Sequence, residues 1–210
     1  MAIDKPVLQA LLLTVVAGIA DAVGYIIMGG VFTANMTGNT VLAGIAAAEG
    51  FHELAIQRLA PLLTFFGGAM LARLLLRLVQ RPIAPLLLEA AILAVVGLLP
   101  VGRESAIMIV AAAMGLQASA ITHFGGTALS TVVVTSTLAR IADATLDRLW
   151  PTNAQRPLPS VAVPSLLALT WIGYLAGAVL GTMLLHLTAW PLLVPAVLLL
   201  GVIALSGSGK

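Results

Sequence analysis

The chain has 210 residues, 60% of them hydrophobic and 9% charged, with a formal net charge of +2 and a mean hydropathy of +1.11. Ordinary soluble domains carry roughly 25% charged residues, so a water-facing surface is excluded and the lipid bilayer is the solvent that suits the composition. The small, dispersed positive charge excludes nucleic acid as a partner, and the absence of cysteine excludes disulfides, thiol nucleophiles and thiolate metal sites.

About 20 apolar residues carry a helix across roughly 30 Å of hydrocarbon. The first such stretch is 7–29. It is longer than the apolar region of a signal peptide and carries Asp21 at mid-span, so it reads as a retained first span. Gly29-Gly30 then opens a polar run, Thr33-Ala34-Asn35-Met36-Thr37-Gly38-Asn39-Thr40, followed by a short helical piece near 37–49. Spans are predicted at 59–79, 84–100 and 105–123, the last carrying Gln117. A second pair of glycines, Gly125-Gly126, precedes Ser130-Thr131 and Thr135-Ser136-Thr137, and a short amphipathic piece follows near 135–149. After a proline-rich connector around 151–159 come spans at 163–187 and 190–206. Glycines 125 and 126 lie 96 residues beyond 29 and 30, and at that offset Gln117 is the counterpart of Asp21. The offset rises to 109 where Gly68-Ala69-Met70 resembles Gly177-Ala178-Val179.

The expected fold is therefore an all-α integral membrane protein. It is a single membrane domain, 1–210, with six transmembrane helices in two inverted three-span repeats at about 7–100 and 104–206. Each repeat contains a polar break and a half-helix. With the N-terminus cytoplasmic, Lys5, Arg73, Arg77, Arg81, Arg140, Arg148, Arg156 and Lys210 fall inside, and Arg58 and Arg103 outside. Both termini are then cytoplasmic. If both breaks crossed completely there would be eight crossings and the repeats would be parallel; six is the preferred reading.

Non-helical backbone inside a membrane must be buried in protein or face water. Duplicated, interrupted hydrophobic segments point to a transporter binding site. A half-helix N-terminus carries a partial positive charge, so two of them converging suit an anionic or strongly polar solute. The candidate substrate-binding residues are Asp21, Tyr25, Asn35, Thr37, Gly38, Asn39 and Thr40 in the first copy, and Gln117, Thr135, Ser136 and Thr137 in the second. Thr37, Asn39 and Thr40 are the expected caps of the first half-helix. A mid-span carboxylate such as Asp21 either serves function or makes an interhelical hydrogen bond, to Tyr25, Gln117 or a break amide. Glu89 is expected to pair with Arg81 or to snorkel. Gly173, Gly177 and Gly181 form a small-residue face that either packs the repeats together or builds a homodimer. No nucleophile–base motif, phosphate loop or metal-ligand spacing is present in the sequence, so neither an enzyme nor a cofactor or metal is expected.

Two blocks carry a family resemblance. The first runs Gly18-Ile19-Ala20-Asp21-Ala22-Val23-Gly24-Tyr25 and on through Gly29-Gly30 to Asn39-Thr40. The second runs Met114-Gly115-Leu116-Gln117 through Gly125-Gly126 to Thr135-Ser136-Thr137-Leu138. Both resemble the YoaK-like family. The resemblance covers almost the whole chain and departs from the family pattern at Ser136, where a glycine is typical. It implies a bacterial inner-membrane protein of about six spans and no established substrate. The expected function is a secondary transporter or channel-like permease for a small polar, anionic solute. A non-transporting membrane scaffold or sensor is the alternative, and an intramembrane hydrolase a remote third.

Overall fold

A computed structural model describes residues 5–81, 83–120, 123–124, 127–128, 142, 145–146 and 162–207. Thr135, Ser136, Thr137, most of the second half-helix and the proline-rich connector lie outside the described residues. Seven helices are described: α1 (Lys5–Ile27), α2 (Met36–Ala48), α3 (His52–Val79), α4 (Ile83–Leu98), α5 (Arg103–Ala120), α6 (Ala162–Leu187) and α7 (Leu193–Gly207). A minimal antiparallel pair, β1 (His123–Phe124) with β2 (Thr127–Ala128), follows α5. The largest departure from the predicted spans is α3, which begins at His52 rather than near 59.

Three helices are long and apolar enough to cross a membrane: Lys5–Ile27, His52–Val79 and, within α6, Leu167–Leu187. α4 and α7 are shorter apolar helices. The apolar surface confirms the solvent inferred from composition. Leu63, Phe66 and Leu78 on α3, and Val179, Met183 and Leu187 on α6, are exposed, as lipid-facing side chains are. α1 is different. It is buried on several faces through Leu13, Val16, Ile19, Ala20 and Val23 and packs against α6, α7 and α5, so it is the central strut.

Two close crossings hold the helices together. On α1, a methyl at Gly18 would press on the Tyr174 carbonyl oxygen and stand 2.9 Å from the Ala178 nitrogen, while one at Gly177 would stand 2.9 Å from Val15 Cα. On α5, a methyl at Gly115 would press on the Phe65 carbonyl oxygen and stand 2.9 Å from the Ala69 nitrogen, while one at Gly68 would stand 2.8 Å from the Ala112 carbonyl carbon. The two crossings are built alike, α1 along α6 and α3 along α5, each with glycines on both helices at matching points and each with its helices running parallel. Without side chains at these points the backbones approach closely enough for dense packing, the main attraction between helices in lipid.

The crossings also correct the register of the internal likeness. Gly18 matches Gly115 and Val15 matches Ala112, a separation of 97 rather than 96 residues, whereas Gly68 and Gly177 keep the separation of 109. Asp21 is thus in register with Ala118, and Gln117 with Ala20. The Gly173, Gly177 and Gly181 face packs against Thr14, Val15 and Ile19 of α1 within the same chain.

Candidate functional site

α1 ends because Gly29 and Gly30 turn left-handed, at φ +101° and +70°, angles that cost other residues dearly. The chain then runs unwound until Asn35 starts α2. This short stretch would leave buried amides without partners, and Asp21 supplies them. Its Oδ1 accepts from the backbone N–H of Thr33 at 2.7 Å and of Ala34 at 2.6 Å, and from the Thr33 hydroxyl at 3.3 Å. Its Oδ2 accepts from the Asn35 N–H at 3.1 Å and from the Tyr174 hydroxyl. One buried carboxylate therefore ties three elements: the middle of α1, the unwound segment and α6.

A second amide clamp closes the segment. Asn39, fully buried, accepts from the Phe32 N–H at 2.9 Å and donates to the Phe32 carbonyl at 2.7 Å. Asn35 caps α2 by accepting from the Gly38 N–H at 3.1 Å. Gly38 is required because a methyl there would lie 2.8 Å from the Phe32 ring, and that ring stacks on Tyr25 at 4.8 Å between centroids.

The expected site residues are thus divided. Asp21, Asn35, Gly38 and Asn39 come together around the unwound segment. The cap is Asn35, not Thr37, Asn39 or Thr40: Thr37 is exposed, and the Thr40 hydroxyl donates back to the Met36 carbonyl. Tyr25 stacks on Phe32, and the tyrosine that reaches Asp21 is Tyr174. Gln117 is buried and donates to the Leu13 carbonyl at 3.0 Å, about two turns along α1 from Asp21. Around the entry to α2, Asp21 accepts from the amides of Thr33, Ala34 and Asn35, and the Asn35 side chain accepts from that of Gly38.

On the far side of the Gly29-Gly30 turn lies a pocket of about 520 Å³. Met28 and Gly29 form its floor, Glu53, Gln57 and Arg58 of α3 one wall, and Arg103, Glu104 and Ile107 of α5 the other. The C-terminal end of α1 therefore stands beside the N-terminal ends of α3 and α5, and α1 runs opposite to both.

A family model described as "Protein of unknown function (DUF1275)" matches residues 9–205. The chain belongs to the DUF1275 family. A relative in this family's style, the UPF0700 transmembrane protein YoaK of Bacillus subtilis (strain 168), is 32% identical over 206 residues, covering 91% of this chain and 89% of that protein. No solved structure matches. The likeness to a transmembrane protein and the exposed apolar helices together make this DUF1275 chain a membrane protein.

Sequence reasoning missed Tyr174 of this DUF1275 protein and misplaced Glu89. Tyr174 sits beside Gly173 on the small-residue face that packs against α1, so a hydroxyl on that face was the available signal for a partner of Asp21. Glu89 neither pairs with Arg81 nor snorkels. It is fully buried in α4, and among the described residues neither carboxylate oxygen has a hydrogen-bond partner. A buried polar group without partners is destabilising, and an apolar residue of similar volume removes that cost. Glu89→Met is expected to raise stability by about 1–3 kcal/mol, measured by denaturant unfolding in mixed micelles. An unchanged or lower stability would show that the carboxylate has a partner the variant loses.

Proposed function

We propose that the protein is a permease of the bacterial inner membrane for a small polar, anionic solute. It is built as two inverted three-span repeats with both termini in the cytoplasm. The observation that carries this reading is the unwound segment between α1 and α2. It lies against the buried centre of a helical membrane protein, is held by a carboxylate from the central helix, and abuts a pocket of about 520 Å³. Such breaks in transmembrane helices mark solute paths in transporters. The repeat reading is supported by the two like crossings and by α1 running opposite to α5. In this proposal Asp21, Tyr25, Asn35, Thr37, Gly38, Asn39 and Thr40 wall one side of the path, and Gln117, Thr135, Ser136 and Thr137 the other.

One observation favours a second reading, a non-transporting scaffold or sensor. Every amide from Thr33 to Asn35 already has an acceptor within the chain, so the break is self-sufficient as a packing device. Two measurements separate the readings. Uptake of radiolabelled small anions into proteoliposomes is expected for the permease and to fall with Asp21→Asn. Thr37→Cys, in a chain with no other cysteine, is expected to react with a membrane-impermeant thiol reagent. Absence of uptake together with an unreactive Thr37→Cys would support the scaffold.

A further inference from the structure

Arg58 extends from the second turn of α3 to the Gly29-Gly30 turn. A methyl at Gly30 would stand 3.0 Å from Arg58 Nη1 and 3.1 Å from Nη2, so the guanidinium lies flat against bare backbone. Nη1 is buried and has no hydrogen-bond partner among the described residues. Glu53 and Glu104 line the same pocket without engaging that nitrogen. Arg103 enters from the other wall, with its Cδ 3.8 Å from where a methyl on Gly29 would lie.

A buried guanidinium N–H without an acceptor is costly, and it is unusual when carboxylates stand close enough to line the same pocket. The fork geometry of arginine matches the two oxygens of a carboxylate or phosphate. The pocket falls within the volume range of small-molecule sites, roughly 300–1,000 Å³. Its charges nearly cancel, two arginines against two glutamates, which disfavours a multiply charged anion. Ile56, Ile107 and Met108 supply an apolar wall. A singly charged head with a short apolar body satisfies all of these features.

We infer that Arg58, with Arg103 opposite, forms a binding site for the oxyanion head of a singly charged amphiphilic molecule at the Gly29-Gly30 turn. The shared chemistry is a monoanionic head on an apolar body, and two sources offer it: a free monocarboxylate or the phosphodiester of an anionic lipid. The inference deepens the permease reading by naming the solute class and the residue that receives it. It also moves the negative charge from the entry to α2 to this turn, since Asp21 and Asn35 already accept from the amides of Thr33, Ala34, Asn35 and Gly38.

The test is binding, measured apart from transport. The purified full-length protein in nanodiscs of neutral lipid is titrated with butyrate and, in a separate arm, with phosphatidylglycerol incorporated into the disc, following the thermal unfolding midpoint. A rise in midpoint is expected with one of the two. Arg58→Gln is expected to weaken that binding roughly ten- to hundredfold, because charge-assisted hydrogen bonds are lost. Arg58→Lys keeps the charge but not the fork and is expected to recover only part of it. The midpoint of each variant without ligand reports folding separately, and Arg103→Gln gives an independent reduction should Arg58→Gln fold poorly. A response to butyrate assigns the site to a free solute; a response to the lipid alone assigns it to a headgroup. Binding that is undiminished in Arg58→Gln and Arg103→Gln, or no response to either probe, overturns the inference. Butyrate binding without uptake leaves this site standing and removes the permease reading. Uptake that persists in Arg58→Gln removes this site and leaves the permease reading.

Discussion

Asp21→Ala is expected to destabilise the protein by about 3–6 kcal/mol. The carboxylate accepts from three successive backbone amides and two hydroxyls, and alanine leaves them with no acceptor. Each buried donor so abandoned costs about 1–3 kcal/mol. Water cannot compensate fully, because the residue is only 2% exposed. Asp21→Asn retains one acceptor oxygen. It turns an amide group toward donors, so about half the loss is expected. Tyr174→Phe removes a single donor and is expected to cost about 1–2 kcal/mol. In a double-mutant cycle the Asp21→Asn and Tyr174→Phe effects are expected to be non-additive by about 1–3 kcal/mol, since the two side chains are in direct contact. Denaturant unfolding in mixed micelles measures all four species. Additive effects, or an Asp21→Ala loss below about 0.5 kcal/mol, would mean that the unwound segment is held by other forces.

Much of this arrangement was legible in the letters, and the illegible part has a physical reason. Hydrophobic run lengths locate the helices because lipid demands continuous apolar surface. Paired glycines before a polar run mark the break because few other residues tolerate the turn. Asp21 declares itself as a charge at mid-span. What run lengths do not specify is direction in space. A carboxylate in a helix can reach any neighbour on its face, and only the crossing of α1 with α6 selects Tyr174 over Tyr25. The register of the internal likeness fails similarly. In the first span offset 96 pairs alanines at Ala10, Ala17 and Ala22 whereas 97 pairs Gly18 with Gly115, and the steric contacts at those two glycines favour 97. Glu89 lay beyond reach because α4 starts at Ile83 and places this residue mid-helix, where it is fully buried, and burial depends on packing that run lengths do not specify. Arg58 reads as an ordinary outside charge until the turn it covers is placed against it.

Gly18→Ala and Gly115→Ala are expected to cost about 2–4 kcal/mol each and to cost similar amounts. At both positions the added methyl meets a backbone carbonyl of the partner helix rather than a movable side chain: Tyr174 for Gly18 and Phe65 for Gly115. Backbone yields only by separating the helices, which forfeits contacts along the whole crossing. Gly44 and Gly67 provide the control. They lie within α2 and α3 and have open space where a methyl would stand, so alanine there is expected to stabilise by up to about 1 kcal/mol through helix propensity alone. Equal losses at 18 and 115 would support two like units, whereas a small loss at one would make the likeness accidental. The crossings differ in one respect. Beside Gly18 stand Asp21 and Tyr174, which hold the unwound segment; the register places Ala118 and Phe65 at the corresponding points beside Gly115. Those residues can pack but cannot accept an amide or donate a hydroxyl. The two crossings, alike in how their helices meet, therefore differ in what stands beside the shared glycine.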